Sequence, residues 1–384
     1  MSKKIRVAII PTIIASYRKG FYDRLLVSED LEVTIFCQRS VAGANINCIS
    51  KEYPNNVEYI SYISTKSGSF SWQFLPFFRI LFNFDVVIIS GNPRVLSDFF
   101  FGLFLRLVNK PVVLWMMAKS YRANKTTQYL RLSWSKFFKF ILTYNDNEIM
   151  FLRQNGFKNQ KIVAVNNGLD QKKIDSASNF WTQESLNEWL EFKNLKGKTL
   201  ILSLARLEPK NNFDLVFEAL PLILDSFPNV HWCLIGSGSQ FNYLNFLANK
   251  YNIQKHVSFC GPIFDEEELA PYFLNSSVFV HPGAIGLSLL HAFGYGLPVV
   301  THNVSDLHGP EYSVFNSNIN GVNFESKDHI NIAKTIIGLI KDNDLRNNIK
   351  NNNLYLVRNI YNVDVMVKRL YKIILMSLNK EKND

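Results

Sequence analysis

The sequence predicts an α/β protein made of two doubly wound, Rossmann-like domains, and three observations predict it. The chain has 384 residues, 47% of them hydrophobic, and at about 100 to 200 residues per domain that is enough for two buried cores. Short apolar runs alternate with amphipathic stretches, once in each half of the chain. A polar, helix-like stretch around 171–197 (QKKIDSASNFWTQESLNEWLEFKNLKG) separates the two arrays. The expected division is 1–175, a linker at 176–197, 198–362, and a last helix at 363–384. Sheets of this kind bind ligands beyond the carboxyl ends of their strands, which predicts an active site in a cleft between the domains.

In the first half the apolar runs are 5–11 (IRVAIIP), 31–37 (LEVTIFC), 85–90 (DVVIIS) and 111–117 (PVVLWMM). Each is rich in β-branched residues and bounded by Gly, Pro, Asn or Asp, as parallel strands buried on both faces require. Phe74, Phe77, Phe78, Leu81 and Phe82 recur at i, i+3, i+4, i+7 and i+8 with Pro76 near the start, which predicts one apolar helix face. In the second half the strands are expected at 198–206, 230–236, 257–262, 277–281 and 297–302, and the helices between them at 213–227, 239–251, 265–274 and 286–295. Two helical patterns, 342–357 and 363–378, close the chain. Asp342-Asn343-Asp344 reads as a helix cap rather than a metal motif.

Composition narrows the function classes. Residues 1–180 hold 24 Lys and Arg against 12 Asp and Glu, a net of +12, while the remainder is near neutral at −2, giving the overall +10. A basic half joined to a neutral one predicts an anionic partner for the first domain: nucleic acid, a membrane surface or a phosphorylated substrate. No nucleic-acid module is recognisable, and the basic residues are scattered. The four cysteines show no CxxC spacing, which argues against a zinc site or a disulfide framework. The apolar runs 99–105 and 111–118 are too short to span a bilayer, which needs about 20 residues, and the opening MSKKIRVAII lacks a signal-peptide layout. The expected location is the cytoplasm. Segments 70–84 and 131–140 mix large aromatics with Arg79, Arg131, Lys136 and Lys139. Such stretches suit a membrane interface, although core packing accounts for aromatics equally well.

The most informative stretch is 277–300, SVFVHPGAIGLSLLHAFGYGLPVV. A strand runs into Pro282-Gly283-Ala284, and a helix opens near Gly286, where free backbone amides favour an anion. Counted back from Gly296-Leu297-Pro298-Val299-Val300, the segment resembles the donor-binding loop and helix of GT-B glycosyltransferases, in the retaining group called family 4. Three further blocks agree in order. Leu204-Ala205-Arg206-Leu207 with Phe213-Asp214-Leu215 resembles the segment whose Arg reaches the diphosphate. Gly236-Ser237-Gly238 with Val257-Ser258-Phe259-Cys260-Gly261 resembles the pair of turns near the nucleotide. His308-Gly309-Pro310-Glu311, followed by Asn320-Gly321, resembles the next loop. Tyr17-Arg18 and Asn166-Asn167-Gly168-Leu169-Asp170 are similar to bacterial surface-polysaccharide members. The resemblance is dense over 198–322 and thin over 1–165.

Three departures stand out. The two glutamates of the family's E-x7-E pair fall on Gly283 and His291, and its diphosphate lysine falls on Asn211, with Lys210 one position early. A neutral His has one donor and one acceptor and can replace a ribose-binding carboxylate; Gly283 has no side chain to touch a sugar. His281, His291, His302 and His308 match different blocks and lack the i, i+4 spacing of a helical zinc site, so no metal is expected.

The resemblance implies a GT-B fold, with the last helix crossing back to the first domain. It implies a retaining, metal-independent transfer of a sugar from a nucleotide-sugar donor, UDP-sugar favoured, and no cofactor. The acceptor would be a hydroxyl of a lipid-linked oligosaccharide or surface-polysaccharide precursor on the inner face of the plasma membrane. Arg206 and Lys210 would stabilise the leaving diphosphate with the amides of Gly286, Leu287 and Ser288. Gly236, Gly238, Ile263, Gly283, His291 and Glu311 would line the donor site, His291 at the ribose and Ile263 at the base. Tyr17, Arg18 and Lys19 would complete the acceptor or phosphate side. The competing reading is a non-catalytic sugar- or nucleotide-binding relative that kept the fold, separable by turnover against binding.

Overall fold

The computed structural model describes residues 3–40, 48–65, 70–119 and 125–379. The chain divides into two compact units, Met1–Asn167 with Val363–Asp384, and Gly168–Asn362.

In the first unit the elements are β1 (Ile5–Ile10), α1 (Lys19–Leu26), β2 (Leu31–Cys37), β3 (Val57–Tyr59), β4 (Tyr62–Ser64), β5 (Ser71–Gln73), α2 (Phe77–Asn83), β6 (Val86–Ser90), α3 (Leu96–Leu107), β7 (Val112–Trp115), α4 (Lys125–Ser135), β8 (Phe140–Thr143), α5 (Asp146–Gln154) and β9 (Lys161–Ala164). Seven strands form one parallel sheet in the order β3-β2-β1-β6-β7-β8-β9, while β4 and β5 make a separate antiparallel hairpin. The two faces follow the strand period of two. Val7 and Ile9 of β1 pack into one core with Phe21 and Leu25 of α1. Ala8 and Ile10 join Phe101 and Leu105 of α3 in the other.

In the second unit α6 (Gln171–Phe180) and α7 (Gln183–Phe192) precede β10 (Thr199–Leu204), α8 (Asp214–Ser226), β11 (Val230–Ile235), α9 (Phe241–Lys250), β12 (Val257–Gly261), α10 (Glu266–Leu274), β13 (Ser276–His281), α11 (Leu287–Gly294), β14 (Val299–His302), β15 (Gly321–Phe324), α12 (His329–Lys341) and α13 (Asn343–Asn359). The sheet order is β12-β11-β10-β13-β14-β15, all parallel. This is the doubly wound arrangement in which the order reverses, here between β10 and β13. Trp232 is fully buried in this core, and its indole N–H donates to Ser203 Oγ at 3.0 Å. The Ser203 hydroxyl in turn donates to the Val280 carbonyl at 2.7 Å, so the buried polar groups are satisfied.

The last helix, α14 (Val363–Ser377), belongs to the first unit. Its Val363, Met366, Leu370, Ile373 and Ile374 form one helical stripe in the core beside α1. Arg24 of α1 donates to Asp364 at 3.1 Å.

Two expectations are corrected. Residues 176–197, expected as a linker of helical texture, are part of the second unit: α6 and α7 fold into it, burying Ile174, Ala177 and Leu186. The aromatic stripe of 74–82 does not form a single buried face. Ile80 is the buried residue of α2, whereas Phe74, Phe78 and Phe82 are 54%, 72% and 70% exposed. Asp342 does cap α13, accepting the Leu345 N–H at 2.8 Å.

Candidate functional site

Four loops meet at the carboxyl edge of the second sheet, on either side of the point where its order reverses. The first follows β10. Leu207 is buried and pins the loop: its N–H donates to the Ser237 carbonyl at 2.9 Å, and its carbonyl accepts the Gln240 N–H at 2.9 Å. The turn Pro209–Asn211 brings Asn211 back, and its side-chain amide donates to the Arg206 carbonyl at 2.6 Å. Arg206 and Lys210 are exposed on this fixed frame and make no ion pair among the described residues. Asn211 itself is 3% exposed. The position where the resemblance places a lysine therefore closes the loop instead, and Lys210 is left as the cation beside Arg206.

The glycines of the second loop, after β11, are there because the first loop lies on them. Gly236 has φ +143°, and a Cβ on it would stand 1.9 Å from the Ala205 carbonyl oxygen. A Cβ on Gly238 would stand 2.4 Å from that of Leu207. The tight turn is thus a docking surface for backbone.

The third loop follows β13. Gly283 packs on the first loop, where a Cβ would lie 2.3 Å from the Lys210 carbonyl oxygen and 2.5 Å from Asn211 Cα. Ala284 N–H donates to that same Lys210 carbonyl at 3.2 Å. The space that a Gly283 side chain would take is filled by the chain's own backbone. Gly286 caps α11 with no side-chain cap bond among the described residues, and Leu289 N–H donates to the Gly286 carbonyl at 2.9 Å. The N–H groups of Gly286, Leu287 and Ser288 thus point out of the helix start, a ready anion site.

The fourth loop, 303–311, is tied to the third. Gly309 N–H donates to the Ile285 carbonyl at 2.7 Å, and Ile285 N–H to His308 Nδ1 at 3.3 Å. Burial holds the His308 imidazole down to about 4, so it is neutral and able to accept. Glu311 is buried, with Oε2 3.5 Å from where a Gly286 Cβ would sit. Arg206, Lys210, Gly236, Gly238, Gly283, Gly286, Leu287, Ser288 and Glu311 all lie on these four loops or on the helix start that follows the third.

His291 lies on α11 but is already engaged. Its Nε2 is 2.8 Å from Glu266 Oε1, and its ring stacks on Phe273 at 4.8 Å. Tyr295 donates to the same carboxylate oxygen at 2.6 Å. Sequence reasoning missed Glu266; the signal was the acidic first turn of α10, Glu266, Glu267 and Glu268. Ile263 is half-buried against this same core. Burial pushes the Glu266 carboxyl up, but the hydrogen bonds from His291 and Tyr295 outweigh it and hold the group below its ordinary 4.5. A depressed carboxyl contributes stability above its unfolded value, lost as pH falls through the folded one. The wild type should therefore lose stability below about pH 4.5. Glu266→Gln should cost about 1–3 kcal/mol at pH 7 and flatten that acid limb, as melting temperatures between pH 7 and 3 would show.

The remaining predicted residues belong to the first unit, where Ser16–Arg18 form a turn leading into α1. Tyr17 is 56% exposed. Lys19 is engaged at the surface with Glu52 at 2.6 Å and Asp23 at 3.5 Å, which holds its ammonium above the ordinary range. Arg18 lies over the rings of Trp115 at 4.9 Å and Tyr144 at 5.4 Å. Arg131, expected on a membrane-facing stretch, instead turns inward and donates to the Met117 carbonyl at 3.0 Å.

Residues 187–354 match the family model described as Glycosyl transferases group 1. Protein CapJ of Staphylococcus aureus is 22% identical over 200 residues, covering 48% of this chain and 48% of that protein. A GDP-mannose-dependent alpha-(1-6)-phosphatidylinositol monomannoside mannosyltransferase of Mycolicibacterium smegmatis is 28% identical over 116 residues, 28% of this chain and 30% of that protein. The matches thus span about half or less of these curated relatives. Among solved structures, a glycosyltransferase from Rickettsia africae aligns with a TM-score of 0.72 at 16% identity, covering 99% of this chain and 100% of that one. HepE from Anabaena, solved in complex with UDP, also aligns with a TM-score of 0.72, at 14% identity over 97% of this chain and 100% of that one. The fold is that of the GT-B glycosyltransferases.

Proposed function

We propose that the chain is a retaining, metal-independent glycosyltransferase of family 4 that moves a sugar from a nucleotide diphosphate donor, a UDP-sugar in the first instance, to a hydroxyl of a lipid-linked or surface-polysaccharide precursor. One observation carries the reading. At the point where the second sheet reverses order, an exposed Arg206 that makes no ion pair among the described residues stands on the same loop frame as the helix-start amides of Gly286, Leu287 and Ser288.

Each group has a role in this proposal. As the bond from the sugar to the diphosphate breaks, negative charge grows on the leaving oxygen. Arg206, Lys210 and the start of α11 meet that charge with fixed dipoles and cations, which costs no reorganisation at the moment of reaction. In same-face transfer the leaving phosphate takes the acceptor's proton, so the absence of a carboxylate at Gly283 does not remove the chemistry. The Glu266–His291 pair takes the ribose side and Ile263 the base. Glu311, next to Gly286, orients the donor sugar or the diphosphate.

The competing non-catalytic reading rests on Gly283 and Asn211 as relics of a lost site. Their packing argues otherwise: Gly283 admits the Lys210–Asn211 backbone, and Asn211 closes the Arg206 loop. The two are fitted to each other. The test is turnover: incubation with radiolabelled UDP-sugars and membrane lipid extract should release UDP and label the lipid fraction, in EDTA as well as without it. Nucleotide binding with no turnover on any donor would favour the binding-protein reading.

The proposed acceptor is amphiphilic, and the first unit has a surface suited to that. No described helix is long and apolar enough to cross a membrane. Phe70, Trp72, Phe74, Phe78, Phe82 and Phe100 are nonetheless exposed, in a unit whose chain is strongly basic. Large exposed aromatics with cations suit the headgroup layer of an anionic bilayer. Vesicles containing anionic lipid should bind the protein at low salt and release it at high salt, measured by co-sedimentation; equal binding to neutral vesicles would remove the electrostatic part.

A further inference from the structure

The first unit contains a cavity of about 370 Å³ at the carboxyl edge of its sheet. It lies where the order of that sheet reverses, between the chain leaving β1 and the chain leaving β6, with the ends of β7 and β8 as its floor. Its size is that of a small-molecule site. What distinguishes it is its charge. Two guanidinium groups, Arg18 and Arg131, line it, and among the described residues no Asp or Glu does.

Neither cation makes an ion pair among the described residues. Arg18 Nη2 donates to Asn167 Oδ1 at 3.2 Å, a neutral acceptor. Its Nη1 is enclosed and has no hydrogen-bond partner among the described residues. The faces of Trp115 and Tyr144 hold the guanidinium in place. Arg131 uses Nη1 on the Met117 carbonyl, and its Nε is likewise buried without a partner. Glu148 is the carboxylate that acts on Arg131 electrostatically, but it is already committed. Its Oε1 accepts the Ala118 N–H at 2.7 Å and its Oε2 the Tyr144 N–H at 2.8 Å. Leaving a buried cation with an unmade hydrogen bond is costly, and guanidinium forks match phosphate oxygens in geometry.

We infer that this cavity binds a phosphate group carried by the acceptor, held between Arg18 and Arg131 with the sugar against the Trp115 and Tyr144 side. The inference rests on the glycosyltransferase reading for the word acceptor, but the anion site stands on its own geometry. It makes the acceptor a phosphorylated or pyrophosphorylated sugar rather than a neutral glycan. The donor diphosphate has separate partners in the second unit.

The test is calorimetric titration of the full chain, saturated with UDP, with glucose 1-phosphate, glucuronate, methyl glucoside and inorganic phosphate. Glucose 1-phosphate should bind best, with inorganic phosphate weaker and methyl glucoside not detected. Arg18→Gln and Arg131→Gln should each weaken glucose 1-phosphate by about 10-fold or more, the scale of a lost charge-assisted hydrogen bond. Arg18→Lys, which keeps the charge, should recover part of it and guards against a simple folding defect, as would melting curves. Binding unchanged in Arg18→Gln would overturn the proposal, as would glucuronate binding as tightly as the phosphate. Inorganic phosphate binding as tightly as glucose 1-phosphate would remove the acceptor assignment. Failure to bind UDP, with Arg18-dependent phosphate binding retained, would count against the donor reading alone.

Discussion

Replacing Arg206 with alanine should lower kcat/KM for the sugar donor by about 100-fold or more while leaving the melting temperature unchanged. The size follows from the charge: one preorganised group facing a developing oxyanion is worth about 10²- to 10³-fold in rate. The unchanged stability follows from the loop. Arg206 is exposed and makes no ion pair among the described residues, and its backbone is held by Asn211 and by the bonds of Leu207, none of which uses its side chain. Arg206→Lys should recover only part of the rate, because an ammonium presents one point charge where the guanidinium presents a planar fork. Steady-state kinetics with thermal melting of the same samples decide it. A folded Arg206→Ala protein with the wild-type rate would end the assigned role.

Gly236→Ala should have the opposite profile, a large loss of stability with loss of nucleotide affinity as its consequence. Alanine at φ +143° is strained, and its Cβ would stand 1.9 Å from the Ala205 carbonyl oxygen, so either the turn or the β10 loop must move. Strain and overpacking together predict about 2–4 kcal/mol. Gly261→Ala is the control. That residue also has positive φ, +71°, but nothing lies within 4 Å of an added Cβ, so about 1 kcal/mol of backbone strain is all it should cost. Urea unfolding of both variants separates clash from strain. Because Ala205 adjoins Arg206, the Gly236 variant should also bind nucleotide more weakly, whereas the Gly261 variant should bind normally.

Much of the second unit was readable in advance because its strands are buried on both faces. TLILSL, VHWCLI and SSVFVH are nearly continuous apolar runs, and their observed bounds differ from the expected ones by a residue or two. The first unit was harder. β8 (Phe140–Thr143) begins inside RLSWSKFFKFILTY, whose aromatic-basic texture reads as a surface segment, and only its pairing with β7 and β9 makes it a strand. The stretch of α6 and α7 was mistaken for a linker because each helix buries only a few residues and its polar faces dominate the composition.

At the site, the motifs located the four loops but not what their residues do to one another. Periodicity carries no information about whether Gly283 faces a ligand or the Lys210–Asn211 backbone, since both need a missing Cβ. Nor does it reveal Glu266, which reaches His291 from an element 25 positions away in sequence. Arg131 shows the same limit. Its neighbours on α4 suggested a surface, and its contacts place it in a cavity formed by strand ends distant in the chain.

The most direct test of the central claim, a diphosphate site centred on Arg206, is nucleotide binding with metal removed. UDP, GDP, dTDP and CMP would be titrated in EDTA into wild type and into Arg206→Ala. The account predicts that one nucleoside diphosphate binds in the micromolar range and that this binding is lost in the variant. Binding by none of the four, or binding equally tight in Arg206→Ala, would contradict it.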